Sequence, residues 1–172
     1  MKIVAHPAPK PLTKQAPVLG LVAAGLLVVV LLLQLIGLSK VLSGLGTQFD
    51  GHDGWAIAVA VIALLSELAA LPFLLRLKLS YLASISSGVM AVIAPWVWVL
   101  VAVWSVGGDT TFAAAQFGIV SGLNIGWGLL AVNVLWLVFN FYSVQQLNIE
   151  KVWYSATGLK PRSEIKKENH KK

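Results

Sequence analysis

Four stretches of this chain each run for about twenty residues or more with only one acidic or basic side chain among them all, Glu67. Hydrocarbon cannot hydrogen-bond a bare peptide group, so a chain crosses it as a helix or a closed barrel. About 20 apolar residues suffice for one helical crossing of a core about 30 Å thick. The stretches 18–38, 55–75, 79–106 and 119–142 meet that length. The expected fold class is therefore an all-α membrane protein, a bundle of four transmembrane helices. With 172 residues in total, the rest amounts to short loops and two tails, residues 1–17 and 143–172.

The first apolar stretch follows a basic start, as a signal peptide does. It is too long for the apolar region of a signal, and no small-x-small cleavage pattern follows it: the next residues are Ser39, Lys40, Val41 and Leu42. It reads as a retained helix. Residues 1–17, with four prolines and three lysines, have no helical period and read as a disordered tail. Residues 39–54 are rich in Gly and Asp and read as a loop. Residues 110–118 read as a second loop with room for a short interfacial segment.

Orientation comes from Lys and Arg. The N-terminal tail, the turn at Arg76–Lys78 and the C-terminal tail together hold twelve, while the opposite loops hold one, Lys40. The positive-inside rule then puts both termini in the cytoplasm and the protein, multi-pass, in the cytoplasmic membrane. Trp55 and Trp104 sit at outer helix ends and Tyr81 and Tyr142 at inner ones, as interfacial anchors do. Trp153 and Tyr154 lie where they could hold the tail on the membrane surface. The net charge of +6 has the same topological origin and implies no nucleic-acid partner. The implied partners are the lipid bilayer and a membrane protein or second copy of the chain.

Chemistry is sparse. With no cysteine there is no thiolate or disulfide. His6, His52 and His170 lie outside the spans, which argues against haem held by paired membrane histidines. No metal site is assigned: His52 between Asp50 and Asp53 reads as a solvated Gly-rich loop. No protease pair, H-E-x-x-H or P-loop is present, so no catalytic residue is assigned.

Glu67 is the exception. It lies nine residues from Arg76, roughly 13 Å of helix rise and near mid-bilayer. An ionised side chain there costs on the order of a few kcal/mol, so the carboxyl must carry a proton, find polar partners, or both. Ala56, Ala60, Ala63, Glu67 and Ala70 form one stripe at three- and four-residue steps. The fourth helix carries Gly122, Gly126, Asn133 and Asn140, with Leu129 and Trp136 between; the third carries Ser80, Ser84, Ser87, Ala91 and Ala94. Small residues let helices approach closely, so Ala60, Ala63, Gly122 and Gly126 are the packing candidates. The polar seam comprises Glu67, Asn133, Asn140, Ser84 and Ser87. The second and fourth helices are expected to face each other, with Asn133 bonded to Glu67. Pro95 leaves the carbonyl of Ala91 without an amide donor, so a side chain of a neighbouring helix, or a water, has to supply one. Trp96, Trp98, Trp127 and Trp136 read as lipid-facing or core residues. The seam holds the bundle together in one reading; in the other, Glu67 handles protons or a polar head group.

Three local features resemble the DoxX-like and MauE-like four-helix membrane proteins across about Val18 to Tyr142. Gly37-Leu38-Ser39-Lys40 resembles the family's G-x-x-K. Glu67-Leu68, followed by the leucine-rich Leu71 to Leu75, resembles its E-L motif, and the basic turn Arg76–Lys78 also fits. The family's arginine near the start of the first helix has no counterpart. The resemblance implies an accessory role beside quinone-linked or thiol-redox partners. The function read from the sequence is thus a non-enzymatic accessory or subunit protein of the membrane, associated with a respiratory or redox complex. The alternatives are a small proton-coupled carrier and a quinone-binding protein, both built on Glu67. A quinone or lipid is the only small molecule the seam suggests; no cofactor is otherwise implied.

Overall fold

The computed structural model describes residues 5–105, 112–118 and 126–159. They form seven helices: α1 (Ala16–Ile36), α2 (Leu38–Gln48), α3 (Asp53–Leu74), α4 (Tyr81–Ser105), α5 (Phe112–Phe117), α6 (Gly126–Gln146) and α7 (Ile149–Thr157). Four of them, α1, α3, α4 and α6, are long and apolar enough to cross a membrane. Around the bundle α3 packs against α4, α4 against α6, and α1 against both α3 and α6. The order of neighbours is therefore α1, α3, α4, α6, with α3 and α6 on a diagonal. This corrects the expectation that the second and fourth spans face each other.

Each span buries one narrow stripe. On α3 the stripe is Ala56, Ala60, Ala63, Glu67 and Ala70, all buried as their spacing requires. On α4, Ser84, Ser87, Ala91 and Ala94 are buried; on α6, Asn133, Trp136 and Asn140. Leu, Val and Ile dominate the outward faces, where only lipid would meet them. Trp96 and Trp127 are exposed, while Trp98 and Trp136 belong to the core. Gly20 shows how close the helices come: a Cβ there would lie 2.8 Å from the carbonyl oxygen of Leu74. The start of α1 thus rests on the end of α3, and the two run antiparallel.

Two prolines interrupt the backbone inside spans, and a side chain of a neighbouring helix bonds the backbone beside each. Pro95 offers no N–H to Ala91; Asn140 of α6 donates Nδ2–H to the Ala91 carbonyl at 2.9 Å. Pro72 disturbs the last turns of α3. There the N–H of Phe73 donates to Ser87 Oγ of α4 at 3.0 Å, and that hydroxyl donates to the carbonyl of Ala69. Ser87 thereby stands in the place of the helical bond from residue 73 to residue 69. Ser87 and Asn140 thus complete the backbone bonding of the bundle.

Two regions depart from the sequence expectation, while residues 110–118 hold the short segment, α5, for which the sequence left room. Residues 38–48 form α2 rather than a loop. Val41 and Leu45, one turn apart, are buried while Lys40, Ser43 and Thr47 face out; burial of that face outweighs the low helix propensity of Gly44 and Gly46. The short α5 packs on α2 and α1. A Cβ on Gly37 would lie 2.7 Å from the Cα of Gly118, and the reverse holds equally. Backbone meets backbone there, which only glycine on both sides allows.

The second departure is the N-terminal segment, whose residues 5–15 form a strap rather than a loose tail. His6 pairs with Leu79 in an isolated antiparallel β-bridge (2.8 and 3.2 Å), and its ring stacks on Tyr81 with centroids 4.0 Å apart. Arg76 donates to the carbonyl of Pro9 at 3.3 Å, Asn148 to that of Lys10 at 3.0 Å, and the N–H of Leu12 to Gln146 at 2.9 Å. The prolines suppress helix but leave carbonyls free to accept, and the partners come from residues far along the chain. Both described chain ends therefore lie at the same end of the bundle.

The repair of α4 is testable. Asn140→Leu is expected to cost about 1–2 kcal/mol in reversible unfolding from detergent or bicelles, by stripping the Ala91 carbonyl of its donor. In a Pro95→Ala background, where residue 95 regains its N–H, the same substitution is expected to cost much less. Equal costs in the two backgrounds would contradict the assignment.

Candidate functional site

The carboxyl of Glu67 is the chemical centre of the bundle, and its exposure is 0%. Oε1 accepts two hydrogen bonds, from Gln34 Nε2 of α1 at 3.0 Å and from the indole Nε1 of Trp98 of α4 at 3.1 Å. One oxygen of α3 thus ties three helices together. Antiparallel packing explains how Gln34 reaches it. Gly20 lies beside Leu74, yet Gln34 is fourteen residues after Gly20 and Glu67 only seven before Leu74. The two Cα atoms are then offset by about 10 Å of helix rise. Helical side chains lean toward their own N-terminus, so on antiparallel helices Gln34 leans down as Glu67 leans up, and they meet.

The expected bond from Asn133 to Glu67 is not formed. Asn133 exchanges two hydrogen bonds with Gln116 of α5, at 2.7 and 2.8 Å, and its Nδ2 also donates to the carbonyl of Leu129. Depth along the helix was readable from the sequence, but the diagonal placement of α3 and α6 separates the two stripes. Gln116 is fully enclosed. It therefore anchors the short α5 to the bundle by an amide pair, the most complete mutual bonding two such side chains can offer.

The remaining candidates lie elsewhere. Ser87 and Asn140 serve the proline breaks. Ser84 is buried near the end of α4 that carries the strap. Ala60 and Ala63 are buried on α3; Gly126 opens α6, and Gly122 lies outside the described residues. Sequence reasoning missed three partners: Gln34, Trp98 and Gln116. A signal existed for the first, the single polar residue in an otherwise apolar α1. Nothing in periodicity separates Trp98 from an ordinary core tryptophan.

Among the described residues, four buried side-chain polar atoms make no hydrogen bond: Glu67 Oε2, Asn140 Oδ1, Trp136 Nε1 and Gln146 Oε1. Trp136 borders a lateral groove of about 360 Å³ between α1 and α6. Leu26 and Val30 form one wall, Phe139 and Val132 the other, and Gln116, Phe117 and Asn133 close one end. Glu67 does not line this groove. No family model, characterised protein or solved structure matches the chain.

The threefold junction makes a specific forecast. Glu67→Gln keeps a carbonyl oxygen that accepts from both Gln34 and Trp98, so its unfolding free energy is expected to stay within about 1 kcal/mol of the parent. Glu67→Leu leaves an amide and an indole donor buried and bare, at about 1–3 kcal/mol for each. Thermal or SDS-driven unfolding of the purified variants separates the two; equal losses would show that Oε1 is not the shared acceptor.

Proposed function

We propose that this chain is a non-enzymatic accessory subunit of a membrane complex, acting through its lipid-facing surface rather than through a reaction at Glu67. What carries this reading is the enclosure of that carboxyl: fully buried, bonded through Oε1 to Gln34 and Trp98, and flanked along α3 by alanines. A proton-coupled carrier needs a polar path to the acid from both sides of the membrane. Here the approaches from α1 and α4 are occupied by an amide and an indole engaged with the acid itself. The other predicted polar side chains are also largely engaged, on proline-broken backbone and on α5.

The surface that remains is apolar. Leu21, Val22, Leu26, Val29, Leu32 and Leu35 of α1 are exposed, as are Val132, Leu135 and Val138 of α6 beside the groove. A helix of a partner protein finds there a long aliphatic face. The proposed setting is the cytoplasmic membrane with both chain ends in the cytoplasm, supported by the one-sided Lys and Arg distribution. A redox complex is the partner class suggested by the resemblance to DoxX-like and MauE-like proteins.

A second reading is favoured by the groove. Phe117, Trp136 and Phe139 border it, with the Gln116–Asn133 amide pair at its closed end. Aromatic walls and a polar end suit a quinone ring or a lipid better than the sealed Glu67 does.

Both readings are tested by one extraction. The tagged full-length protein, carrying a photoreactive residue in place of Val29, is irradiated in native membranes, extracted gently and examined by mass spectrometry. A defined protein adduct is expected, with the same adduct in a Glu67→Gln background. A lone monomer free of protein adduct would overturn the subunit reading, and a co-purifying quinone or lipid would favour the second.

A further inference from the structure

The strap builds a second concave site, at the end of the bundle remote from α2 and α5. A pocket of about 230 Å³ lies between the strap, the start of α4 and α7. Lys10 and Lys151 stand on its rim with Ser155; His6, Tyr81 and Ser84 form its walls. No acidic side chain among the described residues lines it. Two lysines that are far apart in the chain have thus been brought to one cavity.

Their placement is structural rather than incidental. Asn148 has a left-handed backbone (φ 67°) just before α7. Its Oδ1 accepts from the N–H of Lys151 at 3.3 Å, capping the helix, while its Nδ2 donates to the carbonyl of Lys10 at 3.0 Å. One side chain therefore fixes the backbones that carry both cations. Opposite them, the His6–Leu79 bridge and the His6–Tyr81 stack hold the other wall. Both lysines are exposed, and an anion entering the pocket would meet two cations and no carboxylate among its described lining residues.

Apolar side chains are exposed at the same end of the bundle. Leu77, Leu82, Trp153 and Leu159 are all exposed at this end, and Trp153 follows Lys151 on α7, whose Val152 is buried. Cations at the same end of the bundle as exposed tryptophan and leucine match the boundary layer of a bilayer, where acyl chains give way to phosphate. We propose that this pocket binds the phosphate of an anionic membrane lipid, with Lys10 and Lys151 as its charge partners and the hydroxyl groups of Ser84 and Ser155 available as donors. The site is independent of Glu67 and of the accessory reading. It gives the strap a purpose: lipid binding would clamp the N-terminal segment, α4 and α7 together.

The test uses the purified full-length protein in neutral detergent, titrated with phosphatidylglycerol, phosphatidylcholine or soluble glycerol phosphate, and read by native mass spectrometry and thermal shift. Phosphatidylglycerol is expected to bind and raise the melting temperature, and phosphatidylcholine to do neither. Lys10→Gln with Lys151→Gln is expected to weaken phosphatidylglycerol binding by roughly thirtyfold. Asn148→Gly keeps both charges and tolerates the left-handed backbone but loses the tie; it too is expected to bind less. The equal-charge control, Lys166→Gln with Lys167→Gln in the tail, is expected to lose far less. Both lysine pairs are substituted to a polar residue, and lipid-free melting checks that the variants fold. A tail pair that loses as much as the pocket pair, or equal binding of the two lipids, would overturn the proposal. Glycerol phosphate binding as tightly as the lipid, with the same dependence on Lys10 and Lys151, would overturn the assignment to a lipid.

Discussion

A polar group placed in hydrocarbon has no water to turn to, and this bundle is organised around that fact. Glu67, Asn133, Asn140 and Ser87, four of the five seam side chains, each meet a partner on a different helix. The partners divide into two kinds. Asn140 bonds the carbonyl that Pro95 frees, and Ser87 bonds backbone in the turn that Pro72 disturbs. Glu67 and Asn133 bind other side chains, and in doing so fix α1 and α5 to the α3–α4–α6 core. Dispersion between aliphatic surfaces cannot choose one helix order over another when lipid is as apolar as leucine. The hydrogen bonds can, because each wrong arrangement leaves a donor or acceptor bare.

Several of these features could be read from the residues before any coordinates. The four spans follow from length and hydropathy. The buried stripes follow from the three- and four-residue spacing of small and polar side chains. The need of the Ala91 carbonyl for an outside donor follows from Pro95, and Asn140 meets it. What could not be read was who faces whom. Periodicity gives the face of a helix and its depth but not its neighbour, so Asn133 was matched to Glu67 by depth while α5, a short helix in a supposed loop, supplied its real partner. Pro72 carried the same information as Pro95, since a proline near the end of a span also disturbs its ladder.

The other errors share a cause. The glycines of residues 39–54 and the prolines of residues 1–17 suggest loose chain, because local propensity disfavours regular structure in both. Tertiary contacts outweigh it. Val41 and Leu45 bury one face of α2, and the proline-rich strap is held by Arg76, Leu79, Gln146 and Asn148 through three of its carbonyls and two of its N–H groups. The two ends of the bundle consequently differ in character. One is closed by α2 and α5 through the Gly37–Gly118 contact; the other is a basic, strapped surface around Lys10, Arg76 and Lys151. The molecule is therefore asymmetric, with distinct surfaces at its two ends and its acid enclosed between them.

The central claim is that the carboxyl of Glu67 serves as the shared acceptor for α1 and α4. The most direct measurement is the NMR signal and hydrogen exchange of the Trp98 indole N–H in nanodiscs, assigned by its loss in Trp98→Phe. The account predicts a slowly exchanging indole proton whose resonance moves when Glu67 is replaced by Leu. A rapidly exchanging proton, or a resonance indifferent to that replacement, would contradict it.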